Sequence, residues 1–289
     1  MKLYEFDNVQ NFISKIEGFL EKNEAANNLL LGLIYSLLEK EMKGQKLTDT
    51  FMYAVDDFEG NLVLVILMNR INLIVSGEGM ELDSAITNAV TYLYKSGRDV
   101  PGVVGPTAIA RQFAFEWATK KQVIPFVKMN QRIYQLNKVN PIEFSTGKLQ
   151  LADLNDLELV TDWIYEFHES IDEKIVREEA IKKAAENLEN SSLYIWKDQD
   201  FVSMAKKTRP TKNGIVLSLV YTPPVFRNKG YASSCVASLS QLLLDEGYKF
   251  CGLYTDLSNP TSNDIYSKIG YHPIKDSIMY RFRTGNGEN

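Results

Sequence analysis

Between an apolar run and an amphipathic stretch, the chain carries Val220-Tyr221-Thr222-Pro223-Pro224-Val225-Phe226-Arg227-Asn228-Lys229-Gly230-Tyr231-Ala232. The two prolines stop a strand by removing backbone donors. After them comes a loop with two cations and a glycine that opens a helix. The free N–H groups and positive dipole end of such a helix make an anion site suited to a pyrophosphate. Gly230 lets the backbone approach phosphates, Ala232 is small enough for the helix to pack on a neighbouring strand, and Arg227 and Lys229 add charge. Val236, Leu239 and Leu243 then form the buried stripe of the helix. Taken alone, the loop also reads as an ordinary strand-to-helix turn with solvated cations.

Further along, Asn259 before Pro260 is a good N-cap with proline at the first helical position, which is a structural role in itself. Asn263 and Tyr266 at i and i+3 share one helix face, while Ile265 and Ile269 at i and i+4 mark the buried side. Tyr266 is thereby placed where a phenol could face a ligand, a core tyrosine being the alternative.

Arg227-x-x-Gly230-x-Ala232 resembles the Arg/Gln-x-x-Gly-x-Gly/Ala signature of the GCN5-related N-acetyltransferases, in the strand-loop-helix setting of that family. The stretch from Phe250 to Asp256, followed by Asn259 to Tyr271, is similar to its fifth strand, fourth helix and Gly-aromatic turn. The resemblance covers residues 148 to 283 well and the first half only in element order. It implies an acyl-CoA-dependent N-acyltransferase using acetyl-CoA (coenzyme A). The loop residues Arg227 to Ala232, with Asn259, Asn263 and Tyr266, would bind the cofactor.

The same resemblance has the pantetheine arm pair with main-chain groups of the fourth strand, here Leu219, Val220, Tyr221 and Thr222. An amine would attack the thioester directly in a ternary complex, strand N–H groups would stabilise the oxyanion, and Tyr266 would act as general acid toward the departing thiolate. Many relatives carry a glutamate base on the fourth strand, whereas this chain has Ser218 and no carboxylate from Ile215 to Thr222. His168 and Glu169 after the first helix are candidate bases, as is Asp256, and a water relay is the alternative. Transfer of a longer acyl group is a second enzymatic reading. A non-catalytic acyl-CoA-binding sensor is the third.

The elements that must position these residues are read from periodicity. In the first half, helices are expected after Asp7 and from Ala25 to Glu41. A meander at 51–55, 62–67 and 71–75 comes next, then a helix at 82–94, a strand at 100–104, a helix at 107–119 and a strand at 132–136. The second half repeats the order. It has a strand at 149–151, helices at 155–167 and 176–189, a hairpin at 193–196 and 201–206, and a strand at 215–221. A helix at 231–244, a strand at 250–254, a helix at 260–269 and a strand at 278–282 complete it.

Gly97, Gly102 and Val103 fall opposite Gly247, Gly252 and Leu253, which fits an internal duplication. The fold class is α/β (α+β), with two domains of one plan at 1–140 and 141–289, each a mixed, mostly antiparallel sheet flanked by helices. In the first half the acidic Ser76-Gly77-Glu78-Gly79-Met80-Glu81 stands where the phosphate loop should be, and about Glu116 lies opposite Tyr266, so that half reads as a degenerate copy.

The composition bounds the rest. The chain has 289 residues, 45% hydrophobic and 24% charged, with a formal net charge of −5. That balance argues against a broad nucleic-acid-binding face. Cys235 and Cys251 sit in apolar stretches without metal-ligand spacing and read as reduced core residues, so no metal site is expected. No apolar run is long enough to span a bilayer and none comes after a basic start, so a cytoplasmic protein is expected. Its acceptor would be a small-molecule or peptide amine, and a homodimer stays open.

Overall fold

The computed structural model describes residues 1–284. In chain order the elements of the first half are β1 (Lys2–Phe6), α1 (Val9–Glu21), α2 (Asn28–Met42), β2 (Phe51–Asp56), β3 (Leu62–Met68), β4 (Leu73–Gly77), α3 (Leu82–Lys95), β5 (Gly102–Pro106), α4 (Thr107–Lys121) and β6 (Val123–Leu136). Then come β7 (Lys148–Leu151), α5 (Leu157–Ser170), α6 (Arg177–Glu189), β8 (Leu193–Lys197), β9 (Phe201–Thr208), β10 (Gly214–Tyr221), α7 (Tyr231–Asp245), β11 (Phe250–Asp256), α8 (Pro260–Ile269) and β12 (His272–Thr284).

The chain divides into two compact units. Unit 1 comprises 1–133, 255–258 and the segment from Pro273, and unit 2 comprises 134–254 and 259–272. This differs from the expected division at 140. The C-terminal strand is the reason: β12 pairs antiparallel with β5, Ser277 opposite Pro106 through Arg281 opposite Gly102. Ile278 and Tyr280 enter one core of unit 1 while Met279 packs on the other, the period of two that a strand between two helix layers imposes.

Within unit 1 the strands run β1-β2-β3-β4-β5-β12, antiparallel except for the parallel pair β4–β5. Tyr53, Val55, Leu64 and Ile66 point to the core under α3 and α4, and Met52, Ala54, Val65 and Leu67 to the core under α1 and α2. Buried on both faces, these strands are nearly continuous apolar runs. On α1, Val9, Phe12, Ile13, Ile16 and Leu20 form the buried stripe, and Asn8 caps the helix by accepting from the Asn11 N–H at 2.8 Å. The strand β1 was not foreseen from sequence.

Unit 2 repeats the plan. The end of β6 lies beside β11, followed by β10, β9, β8 and β7, with β10–β11 the parallel pair. One face packs on α7 and α8 through Val236, Leu239, Leu243, Tyr266 and Ile269; the other packs on α5 and α6 through Val160, Trp163, Ile164, Ala180 and Ala184. The expected correspondence of glycines is visible. Gly97 and Gly247 end α3 and α7 at φ +70° and +107°, and Val103 and Leu253 occupy the parallel pairs with Leu73 and Leu217. Among the described residues, no helix is long and apolar enough to cross a membrane.

Candidate functional site

The parallel pairing of β10 with β11 runs from Gly214–Phe250 to Leu217–Leu253 and goes no further, although both strands continue. On its other side β10 shifts register against β9 between Ser218 and Tyr221, and Leu219 takes φ +51°. A β-branched-rich strand with a non-glycine residue in the left-handed region is a bulge. From Ser218 to Tyr221 no residue of β10 is paired with β11 among the described residues. Leu219 and Tyr221 then point to the α5–α6 face, and Val220 to the α7 face.

After Pro223 a short 3-10 turn at Pro224–Phe226 leads into the loop. Asn228 and Gly230 both take left-handed conformations, at φ +62° and +78°. Gly230 is the N-cap of α7, with no side-chain cap and no acidic residue in the first turn. The N–H groups of Tyr231 and Ala232 therefore open an uncapped helix. A Cβ on Gly230 would also meet Ser145 Oγ at 2.7 Å, and that hydroxyl donates to the Lys229 carbonyl at 2.7 Å. The glycine is thus required by φ and by a strap that crosses the loop. The Tyr231 hydroxyl donates to Asp198 Oδ2 at 2.9 Å, to which Thr146 also donates at 3.0 Å.

Arg227 is exposed and turns back: its Nε donates to the Thr222 carbonyl at 3.0 Å, and its guanidinium lies 6.0 Å from the Tyr221 ring centroid. It braces the end of β10. Lys229 is exposed, its ammonium 5.8 Å from the Phe226 ring centroid.

Asn259 performs the capping role, its Oδ1 accepting from the Ser262 N–H at 3.1 Å. Asn263 donates to the Asn259 carbonyl at 2.7 Å and accepts from the Tyr134 hydroxyl at 3.1 Å. Tyr266 is 8% exposed and packs edge-on against Tyr271 in the α7 core. Burial pushes its phenol up to about 12, and its hydroxyl makes no hydrogen bond to a described residue. It is a protonated donor over the neutral range.

The candidate bases fall apart. His168 is half-buried and its Nδ1 has no partner among the described residues. Burial first, and then Lys183 of α6, pushes it below the ordinary histidine value. Glu169 is exposed at the end of α5. Asp256 accepts from the Ser258 N–H at 2.8 Å within its own turn, and residues 255–258 group with unit 1.

The carboxylate that does reach the bulge is Glu166, overlooked in the sequence. Its Oε2 accepts from the Tyr221 hydroxyl at 2.7 Å, with Trp163 packed 6.3 Å from the Tyr221 ring. Burial and then this bond push Tyr221 up to about 12. No local signal marks the pair, because the partners lie on α5 and β10, and only the tertiary fold joins them.

Unit 1 has no counterpart of this bulge among the described residues, although its parallel pairing also ends, at Ile74–Val104, before β4 does. Gly105 of β5 packs directly on β4, where a Cβ would meet the Val75 carbonyl at 2.5 Å, and β4 pairs with β3 without a shift. Its loop carries Glu78, paired with Lys22 at 3.9 Å, and Glu116 accepts from Thr87 and Gln112, both at 2.9 Å.

Residues 197–280 match the family model described as FR47-like protein. No curated protein matches the sequence. Among solved structures, an acetyltransferase of the GNAT family from Colwellia psychrerythraea aligns over 98% of this chain and 99% of its own, at 13% identity and TM-score 0.57. A GCN5-related N-acetyltransferase from Sphaerobacter thermophilus aligns over 86% and 84%, at 13% identity and TM-score 0.58. A tandem GNAT protein from the clavulanic acid biosynthesis pathway aligns over 100% of both chains, at 10% identity and TM-score 0.54. The fold is that of the GCN5-related N-acetyltransferases. Among the described residues, unit 2 combines the bulged strand with an uncapped helix N-terminus.

Proposed function

We propose that the chain is an acyl-CoA-dependent N-acyltransferase that moves an acetyl group from acetyl-CoA to a primary amine by direct attack in a ternary complex. The observation that carries this reading is the parting of β10 from β11 beside the uncapped start of α7. The residues fit the group. The first-turn N–H groups of α7 and the Lys229 ammonium suit a pyrophosphate, and the open edge at Leu219, Val220, Tyr221 and Thr222 suits an amide-bearing arm.

Acetyl-CoA supplies an acyl group activated as a thioester. This chain's residues do the rest. Tyr266 Oη holds a proton for a departing thiolate. Glu166 stands at the bulge as a carboxylate able to orient an ammonium group and accept its proton. An amine of pKa about 10 must lose a proton before attack, so such a group is needed. Cys235 and Cys251 are buried with thiols pushed up to about 12, which supports direct transfer without a cysteine intermediate.

Unit 1 would hold no acyl-CoA, because β4 carries no bulge and its loop is acidic. Calorimetric titration should saturate at one acetyl-CoA per chain, and Arg227→Glu should abolish the binding. Two sites per chain, or unchanged affinity in the variant, would refute the assignment.

A further inference from the structure

Arg209 of unit 2 carries a half-buried guanidinium. It comes just after β9 at φ +47°, and its guanidinium lies 5.6 Å from the Tyr254 ring centroid. Its Nε is buried without a hydrogen-bond partner, and no carboxylate forms an ion pair with it among the described residues. Lys206, on β9 itself, is half-buried and also lacks an ion pair among them. Burial, and after it the charge of Arg209, pushes its ammonium below the ordinary lysine value; Glu186 acts in the other direction and Lys183 with Arg209. Two half-buried cations without an ion-pair partner among the described residues carry a desolvation cost that a bound anion would offset.

The register places them beside the site. Lys206 is the β9 partner of Ser218, where the bulge begins, and Met204 is the partner of Tyr221, where it ends. Met204 shares the α5–α6 core with Tyr221 and Trp163, and Lys206, two residues on, lies on the same face. Successive residues on one strand face are about 7 Å apart. The cation pair and the Glu166–Tyr221 pair therefore flank the bulge, one at each end.

We propose that Arg209 and Lys206 bind a carboxylate carried by the acyl acceptor, which makes the acceptor a small amino acid whose amine is held at Glu166. This rests on the N-acyltransferase reading and narrows its substrate class.

The test compares amino acids with their own amides as acceptors. Wild-type kcat/KM should favour the free acids by on the order of 10- to 100-fold, the size of a charge-assisted hydrogen bond. Arg209→Gln should erase that preference through the KM of the acid, leave the KM for acetyl-CoA unchanged, and be partly rescued by Arg209→Lys. Without ligand, Arg209→Gln should melt no lower than wild type, since an unpaired charge is removed.

Equal rates on acids and amides, or a preference that survives Arg209→Gln, overturns the proposal while leaving the enzyme reading intact. If wild type acylates no amine, the enzyme reading fails separately. The anion site then stands or falls on whether amino acids raise the melting temperature of wild type and not of Arg209→Gln.

Discussion

The Tyr221 hydroxyl donates to Glu166 at 2.7 Å, joining α5 to the end of the β10 bulge and holding a carboxylate where the strand edge opens. Its consequence is a kinetic one. Glu166→Gln should lower kcat/KM for the amine by on the order of 100-fold, the lower end of what positioned acid-base groups contribute, with the KM for acetyl-CoA unchanged. An unchanged kcat/KM for the amine would remove Glu166 from that role.

Tyr266→Phe deletes a hydroxyl that bonds to no described residue, so the melting temperature should move by little. Turnover should fall with acetyl-CoA affinity nearly intact. Steady-state kinetics alongside calorimetry separates the two effects, and undiminished kcat would assign Tyr266 to the core alone.

Gly230→Ala forces a side chain into a left-handed residue, at roughly 1–2 kcal/mol, and against Ser145 Oγ. The variant should lose stability by at least that amount in chemical denaturation and bind acetyl-CoA more weakly. Ser145→Ala should relieve the contact and recover part of the stability. No recovery would mean the strap does not constrain the loop.

His168 carries a pH prediction. Its folded value lies below the ordinary one, with burial the first cause and Lys183 the second, Glu173 and Glu179 acting against them. The unfolded chain therefore binds the proton more readily. The contribution is present above about pH 6.5, the ordinary histidine value, and is lost as pH falls toward the folded value. His168→Gln should flatten the fall in melting temperature below pH 6.5. A variant that loses stability in parallel with wild type would contradict this.

Much of this was legible in the residues. Gly230 after Pro223-Pro224, the α8 N-cap at Asn259-Pro260 and the apolar periodicity located the phosphate-loop candidate and nearly every helix, because each is a local signal. What stayed hidden depends on partners distant in sequence. The β12 residues alternate as any strand does, and nothing local says that they pair with β5 of unit 1. Glu166 is one of several polar positions on α5, and only its tertiary partner Tyr221 sets it apart. The bulge at Leu219 lies in an apolar run broken only by Ser218, without the glycine that would have flagged it, and β1 is too short and polar to announce itself.

The most direct measurement tracks free thiol released from acetyl-CoA across a panel of amines, amino acids included, with Glu166→Gln and Tyr266→Phe beside wild type. The account predicts release that requires an amine and falls in both variants. Tight acetyl-CoA binding with no amine-dependent release would contradict it and leave unit 2 as a binding module.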